Sequence, residues 1–414
     1  ALWWVRRDMR LSDNQALAAA LAEAERVIPV YVLDEQHLDG PETNDKALAF
    51  LLAGLRALDE DLRSRGSRLI VRRGNPREEL AAVRDELGAG AVFAQEAYSS
   101  NDRRRDGALA ETLPLRLSGG LTVHPPDAMR QEDGQPYTVF TPFSRAWKRL
   151  SLPRVLDVLR PPERLAPPPE AARGVPIPHE PMLTARIPFL AGEAEAQQRL
   201  RAFVDGADAD LPEGQSPIYQ YDELRNRLDR NGTSKLSPYL NLGMLSIRQA
   251  VVSALSAIDA APDEEARYSA ELWLDALIRR EYAIHIEAHY PEALTKGFRA
   301  EYRNVPWEID QAAFEAWRNG RTGYPLVDAA MRQLVQTGWL PNRARLVVAS
   351  FLSKDLLLNW RWGEQFFMQH LVDVDSASSN EGWQRAAGIG TGAAPYLSIL
   401  NPVLQGRRYD PDGA

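Results

Sequence analysis

Between residues 2 and 118, short apolar runs alternate with longer amphipathic stretches. Leu2 to Val5, Val27 to Leu33, Leu69 to Val71, Ala91 to Ala94 and Leu115 to Leu117 are each bounded by polar residues or glycine, which predicts buried strands. Leu48, Leu51, Leu52, Leu55, Leu58 and Leu62 recur at three-and-four spacing and predict a helix, with Asn44 or Thr43 as its cap. Strands alternating with helices predict a parallel, doubly wound sheet, whose ligand crevice lies at the carboxyl ends of the strands.

The pattern then changes twice. Ten prolines fall between Pro153 and Pro188, including Pro161, Pro162 and the run Pro167 to Pro169. Proline fixes φ and lacks an amide donor, so this density predicts a semi-rigid connector wrapped over a surface. After about Glu193 the strand pattern vanishes and helical periodicity takes over, most clearly at Ala270 to Ala288 and Pro325 to Asn359. Seven of the ten tryptophans lie in this second half. The expected organisation is an α/β domain over residues 1–125, an interdomain linker over 126–192 and an all-α domain over 193–414.

A chain of 414 residues with 44% hydrophobic content has material for two or three cores, which excludes disordered, collagenous and small disulfide-stapled classes. The absence of cysteine removes disulfides, thiolate nucleophiles, iron–sulfur clusters and cysteine-based zinc sites. Arg6 and Arg7 follow Leu2 to Val5 at once, leaving no stretch for a signal peptide, and segments such as Leu346 to Leu352 fall far short of the roughly 20 residues that span a bilayer. A cytoplasmic protein without membrane contact is expected. The net charge of −8 does not decide for or against nucleic acid, because binding depends on local basic patches.

Several motifs could carry chemistry. His285 and His289 share a helical face near Glu281 and Glu287, but they lack a third ligand and a general-base position, so no metal site is expected. Neither GxGxxG nor GxxxxGK[ST] occurs. The segment Gly232 to Tyr239 sets Thr233, Ser234, Lys235 and Ser237 just ahead of a helix, where amides and the dipole attract phosphate; a plain helix cap is the alternative. Arg343 and Arg345 lie two apart on a helix and diverge, so one can face an internal partner. Asp373, Asp375 and Ser379 precede Trp383 in a glycine-bounded loop, and acidic groups near Arg345 make a buried charge network plausible.

The order GTSKLSPYLNLG, TGYPLVDAAMRQLVQTGWLPNR, NEGWQ and GAAPYLSILNPVLQG, with the opening WWVRRDMRLSDNQAL, resembles the DNA photolyase and cryptochrome family over residues 1 to about 410. The resemblance is to its bacterial cyclobutane pyrimidine dimer (class I) branch. It implies a Rossmann-like α/β domain, a long linker and a helical domain that binds FAD. By the same resemblance, Tyr221, Thr233, Ser234, Lys235, Leu236 and Ser237 look like flavin-phosphate contacts. Arg280, Trp339, Asn342, Arg345, Asp373 and Asp375 look like the surroundings of the isoalloxazine, ribose and adenine. Trp383, Trp360 and Trp307 fall on the family's electron-transfer tryptophans, and Ser379 on the position facing flavin N5. Asn101 and Asp102 resemble a pair that holds an antenna chromophore, which implies methenyltetrahydrofolate, a deazaflavin or an empty site.

The departures concern the substrate pocket. Dimer-repairing relatives carry Glu at the position of Ala276, Trp at Arg279 and Arg385, Met at Leu346, Arg at Ser398 and Asn at Ser379, whereas the phosphate-contacting positions Arg225 and Arg343 are retained. A lesion flipped out of the stack is held by aromatic faces and edge hydrogen bonds, and each stack contributes roughly 1–3 kcal/mol. Two functions therefore stay open. One is a monomeric carbon–carbon lyase that repairs UV-damaged DNA in blue light. The other is a cryptochrome-like receptor whose photoreduction is read by a signalling partner. The (6-4) branch fits less well, since it places His at the position of Asn342. Relatives continue with further helices beyond the position of Gly406, so a longer parent chain is expected.

Overall fold

The computed structural model describes residues 1–34, 44–206, 216–392 and 399–413; Thr43, Ser398 and part of the segment Gly392 to Gly406 lie outside them. Strands β1 (Leu2–Trp4), β2 (Ile28–Leu33), β3 (Ile70–Arg73), β4 (Val92–Ala94) and β5 (Leu115–Leu117) form one parallel sheet in the order β3-β2-β1-β4-β5. Trp3 pairs with Pro29 on one side and Phe93 on the other. Helices cover both faces, so the central strands are apolar at every position: Leu2, Trp3 and Trp4 are all buried. Trp3 faces the core shared with the helical region, and Trp4 faces a smaller core on the opposite side.

Each crossover helix begins where a short polar side chain satisfies free amides. Asn14, Asn75 and Ser99 cap three of them, and Asn44 caps Asp45–Ser64 by accepting from Lys46 and Ala47. The Asn44 amide also donates to Met368 and Leu371 carbonyls at 2.8 and 2.7 Å, tying the sheet region to the helical one. The two regions also approach closely at Gly243, with φ +68°, where a Cβ would run into the Arg7 carbonyl.

The proline-rich stretch runs over the sheet region, as expected. Leu165 N donates to Arg65 O and Val175 N to Val71 O, both at 2.8 Å, so the connector covers the open edge at β3. Within the expected linker, however, Phe140–Trp147 is helical. Its Phe143 and Trp147 are fully buried against the long helix, a signal masked in the sequence by the neighbouring prolines.

The helical region is built around the 26-residue helix Glu264–His289, which extends the predicted Ala270 to Ala288 segment at both ends. The expected continuous helix from Pro325 to Asn359 is instead Pro325–Thr337, Asn342–Ser350 and a π turn at Phe351–Asp355. Gly338 takes the left-handed conformation at φ +71°, and Leu340 precedes a proline, which disfavours helix there. A second correction concerns residues 373–383. Asp375 accepts from Ser378 N and caps the helix Ser376–Ala387, so Ser379 and Trp383 stand on a rigid helix rather than in a loop.

Candidate flavin and substrate cavity

A cavity of about 670 Å³ opens between the long helix, the helices Asn342–Ser350 and Ser376–Ala387, and the segment Tyr221 to Asn241. That volume lies within the roughly 300–1,000 Å³ range of ligand pockets. It gathers most of the sequence candidates: Tyr221, Arg225, Thr233, Ser234, Leu236, Ser237, Ala276, Arg279, Arg280, Asn342, Arg343, Arg345, Leu346, Asp373, Asp375, Ser379, Trp383 and Arg385. Lys235 and Trp339 do not line it. Lys235, at φ +49°, lies 5.4 Å from the Trp339 ring centroid, and Trp339 stacks edge-on against Phe189.

One wall is a hydrogen-bonded charge network. Arg345 holds both oxygens of Asp373 at 3.0 and 2.8 Å, and the Ser237 hydroxyl donates to the same carboxylate at 2.6 Å. The two-residue spacing has the predicted effect: Arg345 faces this internal partner, while Arg343 binds the Asn226 side chain and lies over Tyr409. Asp375 receives Arg7 at 3.1 Å. Burial would raise its carboxyl, but the Arg7 and Arg280 guanidiniums and the Ser378 donors outweigh it and hold Asp375 below the usual range. Arg280 is half-buried, its basicity lowered by desolvation, and it donates to the Leu121 and Leu240 carbonyls at 2.7 and 3.1 Å. Ser234 accepts from the Trp273 indole at 3.4 Å.

Buried polar atoms also point to a ligand. Among the described residues, Ser379 Oγ and Arg225 Nε are buried without a hydrogen-bond partner, and both residues line the cavity. A polar heterocycle with a phosphate arm fits such a surface.

Trp383 and Trp360 belong to one buried apolar cluster, against which Trp307 packs. Trp383 lines the cavity and is buried, with Phe367 5.1 Å away and Trp317 at 6.2 Å. A Cβ at Gly363 would collide with the Trp383 ring, so the absent side chain lets that ring rest on the helix Trp360–Met368, one turn from the buried Trp360. Glu308 N donates to Leu357 O at 2.9 Å, which brings the half-buried Trp307 alongside the segment leading into Trp360.

The chain matches the family model for the FAD-binding domain of DNA photolyase over residues 273–414, and that for DNA photolyase over residues 1–168. It is 40% identical over 415 residues to the deoxyribodipyrimidine photo-lyase of a Thermus thermophilus strain, covering 100% of this chain and 90% of that protein. It is 38% identical over 429 residues to the enzyme of the same name from a Synechococcus strain, covering 99% of this chain and 85% of the relative. The chain belongs to the DNA photolyase and cryptochrome family. A class III photolyase from Agrobacterium tumefaciens superposes with a TM-score of 0.89 at 33% identity, covering 100% of this chain and 84% of that one. A Synechocystis cryptochrome superposes with a TM-score of 0.88 at 28% identity, covering 100% and 86%. Architecture therefore does not separate repair enzyme from receptor.

FAD is the cofactor of this family's helical domain, and it supplies light absorption and one-electron chemistry when bound. The residues that would hold it are those lining this cavity, among them the Arg345, Asp373 and Ser237 network, Ser379, Asn342, Thr233 and Ser234. Asn101 is exposed, and Asp102 is engaged with Ser99 at 2.7 Å and Arg105 at 2.9 Å within its own helix, away from this cavity. His285 and His289 are committed to the Pro126 and Tyr137 carbonyls, and desolvation lowers His285 to about 4.

Among the cavity residues that sequence reasoning missed, Glu381 and Phe140 matter most for the charges there. Glu381 lies 3.8 Å from Arg279 and 3.6 Å from Arg385, and Arg279 Cζ sits 3.7 Å from the Phe140 ring centroid. The signal for Glu381 is a charged residue inside the NEGWQ motif, three and four positions from small polar residues and from Arg385 on one helix. No local signal links Phe140 to Arg279, which is 139 positions away.

Proposed function

We propose that this protein uses blue light to drive electron transfer through FAD, with Trp383, Trp360 and Trp307 carrying the electron from the protein surface to the cavity, and that DNA is its partner. The observation that carries this reading is the gathering of the three tryptophans in one apolar cluster: Trp383 on the cavity wall, Trp360 one turn from the glycine under the Trp383 ring, and half-buried Trp307 next to Glu308, which bridges to the segment before Trp360. Indole is oxidisable and can relay charge in short hops, while FAD supplies the redox centre. Arg225 and Arg343, at the mouth, are the proposed grip on DNA phosphates. The reading takes the protein to be a cytoplasmic monomer. It includes an antenna chromophore, methenyltetrahydrofolate or a deazaflavin, near Asn101 and Asp102.

Repair of pyrimidine dimers is the activity to test. Purified protein loaded with FAD and photoreduced is given a dimer-containing oligonucleotide under blue light, and intact thymines are counted against a dark control. Recovery supports a DNA repair lyase. A second reading, a receptor without repair activity whose change is read by a signalling protein, is favoured by the Arg279, Glu381 and Arg385 cluster and by Ala276, which leave neither aromatic walls nor a carboxylate at the positions where dimer-repairing relatives have them. Photoreduction without recovery would select it. Replacing Trp383 with Phe should slow photoreduction about tenfold or more, since an added barrier of only about 1.4 kcal/mol has that effect; an unchanged rate would remove the tryptophan route.

A further inference from the structure

The mouth of the cavity contains charged groups that the flavin reading does not use. Arg225, Arg279, Arg343 and Arg385 converge there with Glu381; Asp275 also lines the wall, but its carboxylate is occupied by Lys148 at 2.7 Å and Ser144 at 3.0 Å. Among the described residues there, four guanidiniums thus stand against one carboxylate, Glu381, that is held only by loose ion pairs. Glu381 is nearly buried and sits between Arg279 and Arg385 at 3.8 and 3.6 Å, beyond the 2.7–3.2 Å of ordinary hydrogen bonds. The carboxylate holds the two cations electrostatically without consuming their donors. Arg385 Nε is buried with no hydrogen-bond partner among the described residues, and so is Arg225 Nε. Stacking on Phe140 fixes the plane of Arg279.

The cations also destabilise one another. Burial lowers Arg279, and Arg385 lowers it further; burial likewise lowers Arg343, with Arg225, Arg408 and Arg385 adding to the effect. Like charges held together with free donors favour entry of a multivalent anion. A phosphate brings a charge of about −1.5 to −2 and three strong acceptor oxygens that match guanidinium forks. Phe140 and Tyr221 line the same cavity, each with a guanidinium over its ring, so an anion bound there meets cations held in fixed planes.

We propose that Arg279 and Arg385 form a clamp for the phosphate group of a nucleotide, with Glu381 as the resident anion that holds them in reserve and weakens binding. The proposal rests on the reading that FAD fills the deeper part of the cavity. Calorimetry on the FAD-loaded protein compares thymidine with thymidine 5′-monophosphate, and a short single-stranded oligonucleotide with and without a 5′-terminal phosphate. The first pair reads a free nucleotide as the source, the second a strand end. The phosphorylated member of at least one pair should bind about tenfold more tightly. Arg385→Ala should abolish that preference. Glu381→Gln, nearly isosteric and therefore safe for folding, removes the resident anion and should tighten phosphate binding several-fold.

Equal binding within both pairs would overturn the clamp, as would a preference that survives Arg385→Ala or occurs only in protein stripped of FAD. Should Arg385→Ala fail to fold, the response of Glu381→Gln decides, and unchanged affinity counts against the proposal. Flavin content is read from visible absorbance in the same samples. Loss of FAD binding contradicts the flavin reading, whereas bound FAD without phosphate preference contradicts the clamp alone.

Discussion

The two ends of the cavity are made from the same residue types and behave differently. At the deep wall, Arg345 and Ser237 place three hydrogen bonds of 2.6–3.0 Å on Asp373. At the mouth, Arg279 and Arg385 share Glu381 at 3.6–3.8 Å, and a buried Nε goes unbonded. A buried charge pair contributes to a defined structure only when its hydrogen bonds are satisfied; a pair left loose keeps donors in reserve for something else. The deep wall therefore serves as a scaffold, and the mouth as a receiver.

The largest test of this contrast is Asp373→Ala. Removing one partner of a buried pair typically costs 3–5 kcal/mol, and because Arg345 keeps 26% of its side chain exposed, the lower end, about 3 kcal/mol, is expected. Denaturant melts should show that loss together with reduced flavin content, and a near-neutral result would mean that the wall is not a scaffold. Gly363→Ala comes next. Its Cβ would meet the Trp383 ring and Leu352, so overpacking of about 2 kcal/mol and slower photoreduction are expected. Normal melting and photoreduction would show that the ring does not rest there.

Acidity gives a third handle, through two buried carboxyls of the long helix. Burial, and then the neighbouring Asp375, push Glu287 up to about 7, and burial pushes Glu281 up to about 7 against the Val123 and Trp147 hydrogen bonds. Between the ordinary value of 4.5 and about 7, the folded state holds protons that the unfolded chain has released, so stability falls as pH rises through that window. The slope is at most about 1.4 kcal/mol per pH unit for each group. Glu287→Gln should remove its share in melts across the window, and an unchanged slope would mean that Glu287 is ionised throughout. The smallest effect belongs to the mouth: Glu381→Gln should shift stability by less than about 1 kcal/mol, as loose and partly exposed pairs do. A loss as large as that of Asp373→Ala would erase the distinction between the two ends.

Much of this is legible along the chain. The five strands are visible because both faces of a parallel sheet are covered, which leaves unbroken apolar runs such as Leu2 to Trp4. Asn44 reads as a cap because a short polar side chain before a leucine-periodic stretch has a local job. The divergence of Arg343 and Arg345 follows from helical geometry alone. Where reading failed, local breakers and caps decided two cases and a long-range contact the third. Pro325 to Asn359 has helical periodicity throughout, yet Gly338 and Pro341 break it. The same sequence that reads as a loop from Asp373 is a helix, because Asp375 turns its carboxylate onto Ser378. Phe140–Trp147 was hidden among prolines and is held in place by burial against the long helix.

Local periodicity and contiguous motifs were enough to specify the family and the α/β and helical parts of the fold. Which of these residues meet depended on the closed fold. Arg279 lies on Phe140 and beside Glu381, contacts that join positions 140, 279 and 381 of the chain. Electrostatics and stacking act over a few ångströms of space whatever the separation in sequence, so the charge balance at the cavity mouth exists only once the chain has closed around it.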